Sequence, residues 1–131
     1  MSSVNSVNWF EIYVQDMPRA RAFYEAVFKI TLEDLKVPDE AGSGSGLQML
    51  SFPGDMERYG ANGALCQMPG VPSGPGGTLV YFACADCAVE AGRIVAAGGR
   101  IHRDKMAIGE YGFIVLAFDT EGNMIGLHSM Q

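Results

Sequence analysis

The sequence predicts a small α+β domain built from two copies of one β-α-β-β-β unit, and three observations carry that prediction. Bulky, strand-favouring residues run from Val7 to Val14 and again from Thr78 to Ala85, each run followed by an aspartate and a helical pattern. An offset of 70 residues lays Trp9–Asp16 over Leu79–Asp86, so that both aspartates stand at a strand-to-helix junction. Between the halves lies Pro69-Gly-Val-Pro-Ser-Gly-Pro-Gly-Gly77, a connector too short to act as a flexible interdomain tether. At 131 residues the chain fits one domain, residues 1–131, with units at 7–68 and 78–130.

Each element follows from local pattern. In the first strand Phe10, Ile12 and Val14 share one face, while Trp9, Glu11 and Tyr13 share the other. Asp16 offers an N-cap oxygen and Pro18 suits a first turn. Ala20, Phe23, Tyr24, Val27 and Phe28 keep helical spacing, which predicts a helix over about residues 17–28. Strand-like segments follow near 30–37, 46–52 and 62–68, separated by loops at Ala41–Gly46 and Asp55–Asn62. In the second half Val80, Phe82 and Cys84 form one strand face, and Leu79, Tyr81 and Ala83 the other. Asp86 caps a helix expected to turn Ala88, Ala91, Ile94 and Val95 inward, and Gly98-Gly99 stops it. Three strands fit near 100–107, 111–118 and 124–130.

Composition narrows the function classes. With 48% apolar residues a real core is available. A formal charge of −6 disfavours a nucleic-acid surface and an anionic membrane surface. Met1–Asn8 lacks the basic and apolar regions of a signal peptide, and no apolar run approaches the roughly 18–20 residues of a membrane span. A cytoplasmic setting is therefore expected. Cys66, Cys84 and Cys87 are an odd number, which argues against a disulfide framework.

The segment Val14-Gln-Asp-Met-Pro-Arg-Ala-Arg-Ala-Phe-Tyr24 resembles the strand-to-helix segment of the vicinal oxygen chelate superfamily, which includes glyoxalase I, extradiol dioxygenases and bleomycin-resistance proteins. Ala96-Ala-Gly-Gly99 after the second helix and Phe118-Asp-Thr-Glu-Gly122, similar to an Asp-Pro-x-Gly turn before the last strand, extend the resemblance over nearly the whole chain. It implies two curled sheets facing each other around a central cavity. It also implies a homodimer, by side-by-side packing or by exchange of units. Metal-dependent relatives take ligands from the first and last strand of each unit, and those positions fall here at Trp9, Ala64, Leu79 and Gly126. Indole, methyl, isobutyl and hydrogen offer no lone pair to a divalent ion. No metal ligand is therefore assigned.

Two residues further along the same strand faces stand Glu11, Cys66, Tyr81 and His128, each pair expected to lie abreast and to point into the cavity. Glu11 could serve as general base, with Tyr81 or His128 as acid or oxyanion donor. Carboxylate, thiol and imidazole could also hold a displaced divalent metal. Trp9 fits a stacking wall for a flat or apolar ligand, or a ring filling a vacated metal pocket. Tyr111 could close over the cavity or pack within its hairpin. Of the remaining candidates, Cys84-Ala-Asp-Cys87 matches C-x-x-C but reads as core packing. His102, beside Arg100 and Arg103, reads as a surface histidine, and Arg19 and Arg21 as the solvated face of the first helix. Three readings fit: a small-molecule-binding protein without metal, an enzyme using Glu11, Tyr81 and His128 with or without a displaced metal, and an interaction module.

Overall fold

Alternation along Trp9–Tyr13 sets the first strand: Phe10 and Ile12 turn inward while Trp9, Glu11 and Tyr13 face the open side. The computed structural model describes residues 7, 9–36, 46–55, 57–76 and 78–131. The predicted loop at Ala41–Gly46 and the Met1–Asn8 segment lie largely outside them. Strand β1 (Trp9–Tyr13) leads to helix α1 (Met17–Phe28) and strands β2 (Glu33–Asp34), β3 (Gln48–Ser51) and β4 (Asn62–Gln67). The second half repeats the order with β5 (Val80–Ala83), α2 (Cys87–Ile94), β6 (Arg100–Ala107), β7 (Phe113–Phe118) and β8 (Met124–Ser129). A short 3-10 turn, Gly109–Tyr111, separates β6 from β7.

Both predicted caps form. Asp16 accepts the Arg19 amide at 3.1 Å and Asp86 accepts the Ala88 amide at 3.0 Å, each satisfying a donor that the helix start leaves free. Lys29, at φ 55°, ends α1 in the left-handed conformation. Helix α2 keeps two of its four expected inward residues, Ala91 and Ile94. Cys87, Ala91 and Ile94 turn toward the core, whereas Ala88 is exposed and Val95 lies beyond the helix in solvent. The Cys87 amide donates to the Ser129 hydroxyl at 3.0 Å, which fixes the first turn and with it the rotation of the helix.

Two four-stranded sheets result, ordered β1-β4-β3-β2 and β5-β8-β7-β6, and they curl without closing into a barrel. In each, first and last strands pair parallel and the others antiparallel. The predicted duplication is thus present in the topology. Strand β2 is the weakest element: only two acidic, exposed residues pair with β3, where a strand over 30–37 is predicted. Asp and Glu suit a pleated, half-buried surface poorly.

The core lies between helices and sheets, with Phe23, Tyr24 and Val27 of α1 against Leu65, and Ile94 of α2 near Val115, Ile125 and Leu127. Aromatic rings fill the seam between the units. Phe28 stacks on Phe82 at 4.6 Å, and Phe10 meets Phe52 at 5.5 Å. Gly63 makes room for this packing, since a Cβ there would come within 2.4 Å of the Phe10 ring.

A polar knot ties the β7–β8 turn to the β1–α1 junction. The Glu121 side chain is 0% exposed and takes both guanidinium contacts of Arg19, at 2.8 and 2.9 Å, together with the Gln15 and Asp16 amides. Burial opposes its ionisation, yet Arg19, the two amides and the Thr120 hydroxyl outweigh it and hold the carboxyl down at about 2. Beside it Asp119 accepts the Tyr24 hydroxyl and the Glu121 and Asn123 amides, and Asn123 reaches back to the Tyr13 carbonyl. The connector joins in, with Ser73 donating to the Glu121 carbonyl and the Gly74 amide to Asn123. Arg19 is therefore half of an interdigitated pair and not simply solvated surface. Arg21 likewise bridges Glu25 and the Leu32 carbonyl.

Candidate functional site

Strand β1 presents Trp9, Glu11 and Tyr13 side by side on the open face of the first sheet. The Trp9 indole donates to Glu11 Oε2 at 3.1 Å and the Tyr13 phenol donates to Glu11 Oε1 at 2.7 Å. The carboxylate is thereby held from both sides while still open to solvent. Its hydrogen bond, aided by burial and by the carboxylate charge, pushes the Tyr13 phenol up to about 12. Cys66 stands opposite Tyr13 on β4, fully buried, and burial followed by the Glu11 charge pushes its thiol up to about 12. Trp9, Glu11 and Cys66 thus come together, and Tyr13 joins them. The alternation Trp9-x-Glu11-x-Tyr13 carries the signal for Tyr13, because alternate strand residues share a face.

The second sheet has a separate group. The Tyr81 ring, 47% exposed, lies over Gly126, where a Cβ would come within 2.3 Å of it. His128 places Nε2 2.7 Å from the Tyr111 carbonyl. A carbonyl only accepts, so Nε2 carries the proton and Nδ1 keeps its lone pair when the ring is neutral. The Tyr111 side chain itself points into solvent. Among the described residues no hydrogen bond, ion pair or ring contact joins Tyr81 or His128 to Glu11 or Cys66. A cavity of about 180 Å³ between the units is lined by Glu11 and Tyr13 with Thr78, Val80 and Met124.

The strand register differs from that expected. Glu11 pairs with Ala64 and Tyr13 with Cys66; Tyr81 pairs with Gly126 and Ala83 with His128. Each predicted pair is therefore diagonal, one two-residue step out, instead of abreast. The parallel register depends on the chain between the strands and on close approaches such as Tyr81 over Gly126, which local pattern does not encode.

Trp9, Ala64, Leu79 and Gly126 supply no ligand atom, and the described residues contain no group of three His, Cys, Asp or Glu side chains able to share an ion. Glu11 is engaged by two donors, the Cys66 thiol is held in its neutral form, and His128 commits one nitrogen to a carbonyl.

The secondary candidates take structural places. Cys84 packs against the core, and burial, then the Glu90 carboxylate, pushes its thiol up to about 12. Cys87 is buried and unpaired. His102 is exposed on the edge strand β6, edge-on to Phe118, while Arg100 stacks over that same ring at 4.0 Å. At pH 8 a thiol reagent should find no fast-reacting cysteine in the folded protein and three in urea, because Cys66 and Cys84 hold little of the reactive thiolate and Cys87 is shielded by burial. Rapid labelling of Cys66 in the folded state would contradict this.

No described helix is long and apolar enough to cross a membrane. Comparison with known proteins places the fold. The CFP32 proteins of Mycobacterium bovis and Mycobacterium tuberculosis, provisionally named glyoxylases, are 28% identical over 122 residues. The match covers 93% of this chain and 43% of theirs, so the chain spans less than half the length of these relatives. Glyoxalase I from Zea mays superposes with a TM-score of 0.65 at 23% identity, covering 92% of this chain and 43% of that one. TnmS3, an antibiotic binding protein from Streptomyces sp. CB03234, does so with a TM-score of 0.64 at 20% identity, covering 98% of both chains. The repeated unit, its strand order and a family profile matching residues 6–127 agree: the chain belongs to the Glyoxalase/Bleomycin resistance protein/Dioxygenase superfamily.

Proposed function

We propose that the chain is a small-molecule-binding protein that works without a metal ion and holds its ligand against Trp9 and Glu11 on the open face of the first sheet. The observation that carries this reading is the Glu11 carboxylate, oriented on both oxygens by the Trp9 indole and the Tyr13 phenol. Each oxygen has accepted one bond and retains capacity for another, so a hydroxyl or N–H of a ligand meets a preorganised acceptor beside a flat apolar ring. Binding of an antibiotic by TnmS3, which shares the fold, supports the class. Acid–base chemistry would need Tyr81 or His128 to reach the same substrate as Glu11, and among the described residues no hydrogen bond, ion pair or ring contact joins the two groups; binding is the better-supported reading. A homodimer and a cytoplasmic setting belong to the same proposal, and a solution mass of one chain by light scattering would overturn the dimer.

Trp9 is the sole tryptophan, so its fluorescence reports directly on this site. Flat aromatic compounds bearing hydrogen-bond donors should quench it saturably. In Glu11→Gln the dissociation constant should rise about 10–100-fold, the loss of a hydrogen bond to a charged group. Chelator should leave the titration unchanged. Loss of binding on chelation would sink the metal-free reading, and an unchanged constant in Glu11→Gln would remove Glu11 from the site.

A further inference from the structure

The two strand-to-helix junctions are built alike but completed differently. At β1–α1 the five-residue turn 119–123 plugs the junction, and the buried Glu121 carboxylate meets Arg19. At β5–α2 the opposing connection, residues 52–61, is longer and leaves a cleft of about 410 Å³. Phe10, Phe28, Phe52 and Phe82 line it, with Tyr81 among its walls. Glu90 of α2, a partly buried residue, also contributes to the wall; the Cys84 thiol is its one protein donor among the described residues, and its Oε1 is buried without a hydrogen-bond partner. No lysine or arginine among them forms an ion pair with Glu90. Arg93, one turn further along, donates instead to the Val27 carbonyl.

A buried carboxylate oxygen without a donor is costly, and native structures rarely keep one unless something else satisfies it. Here the unsatisfied oxygen sits at a cleft walled by aromatic rings, whose faces attract cations. We propose that this cleft is a second ligand site, distinct from the Trp9–Glu11 face, and that it takes an organic ammonium ion carrying a flat apolar body. The ammonium group supplies Glu90 with the partner that Arg19 supplies to Glu121, and the body lies against the phenyl rings. The site stands apart from the first: Trp9, Glu11 and Tyr13 contribute nothing to its walls.

The test is a nitrogen-15 NMR titration with 2-phenylethylammonium, and with the neutral 2-phenylethanol as its uncharged counterpart. The amine should shift the Ala61, Phe82 and Ala83 amides saturably, in Glu11→Gln as in the parent protein, whether or not it also shifts Glu11 and Tyr13 at the first site. The alcohol should bind at least about tenfold more weakly, the difference between a charge-assisted and a neutral contact. Glu90→Gln, nearly isosteric, should remove that preference, whereas Glu11→Gln should leave it intact. Equal binding of amine and alcohol at the three amides would overturn the proposal, as would shifts confined to Trp9, Glu11 and Tyr13, a preference that survives Glu90→Gln, or no shift at the three amides. Should Glu90→Gln fail to fold, the comparison of the two probes on the parent protein decides alone.

Discussion

Replacing Glu121 by alanine should destabilise the fold by about 3 kcal/mol, lowering the urea midpoint by roughly 1–2 M. The side chain is wholly buried and four donors converge on it: Arg19, the Gln15 and Asp16 amides and the Thr120 hydroxyl. Its removal leaves two backbone N–H groups of the β1–α1 junction without an acceptor and strands a guanidinium in a partly buried place. The figure sits at the low end for a broken buried pair because Arg19 is 51% exposed and recovers some hydration. Arg19→Ala should cost less, since the two amides continue to satisfy Glu121. The same carboxylate makes the protein acid-sensitive. Its folded value of about 2 lies below the ordinary 4.5, so its contribution is complete above pH 4.5 and lost as pH falls from there toward 2. Urea titrations at pH 7, 4.5 and 3 would read this directly. Glu121→Ala should flatten the slope over that interval, and an unchanged slope would refute the assignment.

Gly112→Ala should be nearly as damaging, with an expected loss of about 3 kcal/mol. Gly112 has φ 104° and ψ −131°, a region open in practice only to glycine, and an L-residue there carries about 1–3 kcal/mol of strain. The added Cβ would also come within 2.3 Å of the Ser129 carbonyl oxygen and 3.1 Å of the Met130 Cα, both backbone atoms that no rotamer change can move. Relief must come from the 3-10 turn, which displaces the Tyr111 carbonyl from His128. Hydrogen exchange at His128 Nε2 should then quicken along with the fall in stability. Gly109→Ala is the matched control: φ is 71° but nothing lies within 4 Å of the new Cβ, so only about 1–2 kcal/mol is expected. Equal losses at the two glycines would show that contact with β8 plays no part.

The sequence made some features legible and hid others, and the dividing line is range. Strand faces, both aspartate caps and the repeat at 70 residues depend on neighbours a few positions apart, and each is found in the structure. On helix α2 the sequence places Ala91 and Ile94 on the right face but not Ala88 and Val95, and the first turn, where Cys87 is buried instead, is fixed by Ser129, 42 residues away. The diagonal register of Glu11 with Cys66 and of Tyr81 with His128 has the same origin, since parallel strands are aligned by what lies between them. The Glu121 knot was invisible for a stronger version of that reason. A glutamate in a Gly-containing turn looks solvated, and an arginine on a helix does too, until a separation of 102 residues is closed. Tyr13, by contrast, lay within reach: it shares a face with Glu11 two positions away, and only its hydrogen bond had to be foreseen.

That closure also sets a timetable for folding. The amides at the start of α1 find their acceptor only when residue 121 arrives, so the β1–α1 corner is finished by a hairpin made much later. During synthesis the β1–α1 corner must wait, hydrated and incomplete, for more than a hundred residues to follow, a delay that topologies rich in local contacts avoid. The late turn acts as a latch, and agents that pry at it should open the β1–α1 corner first.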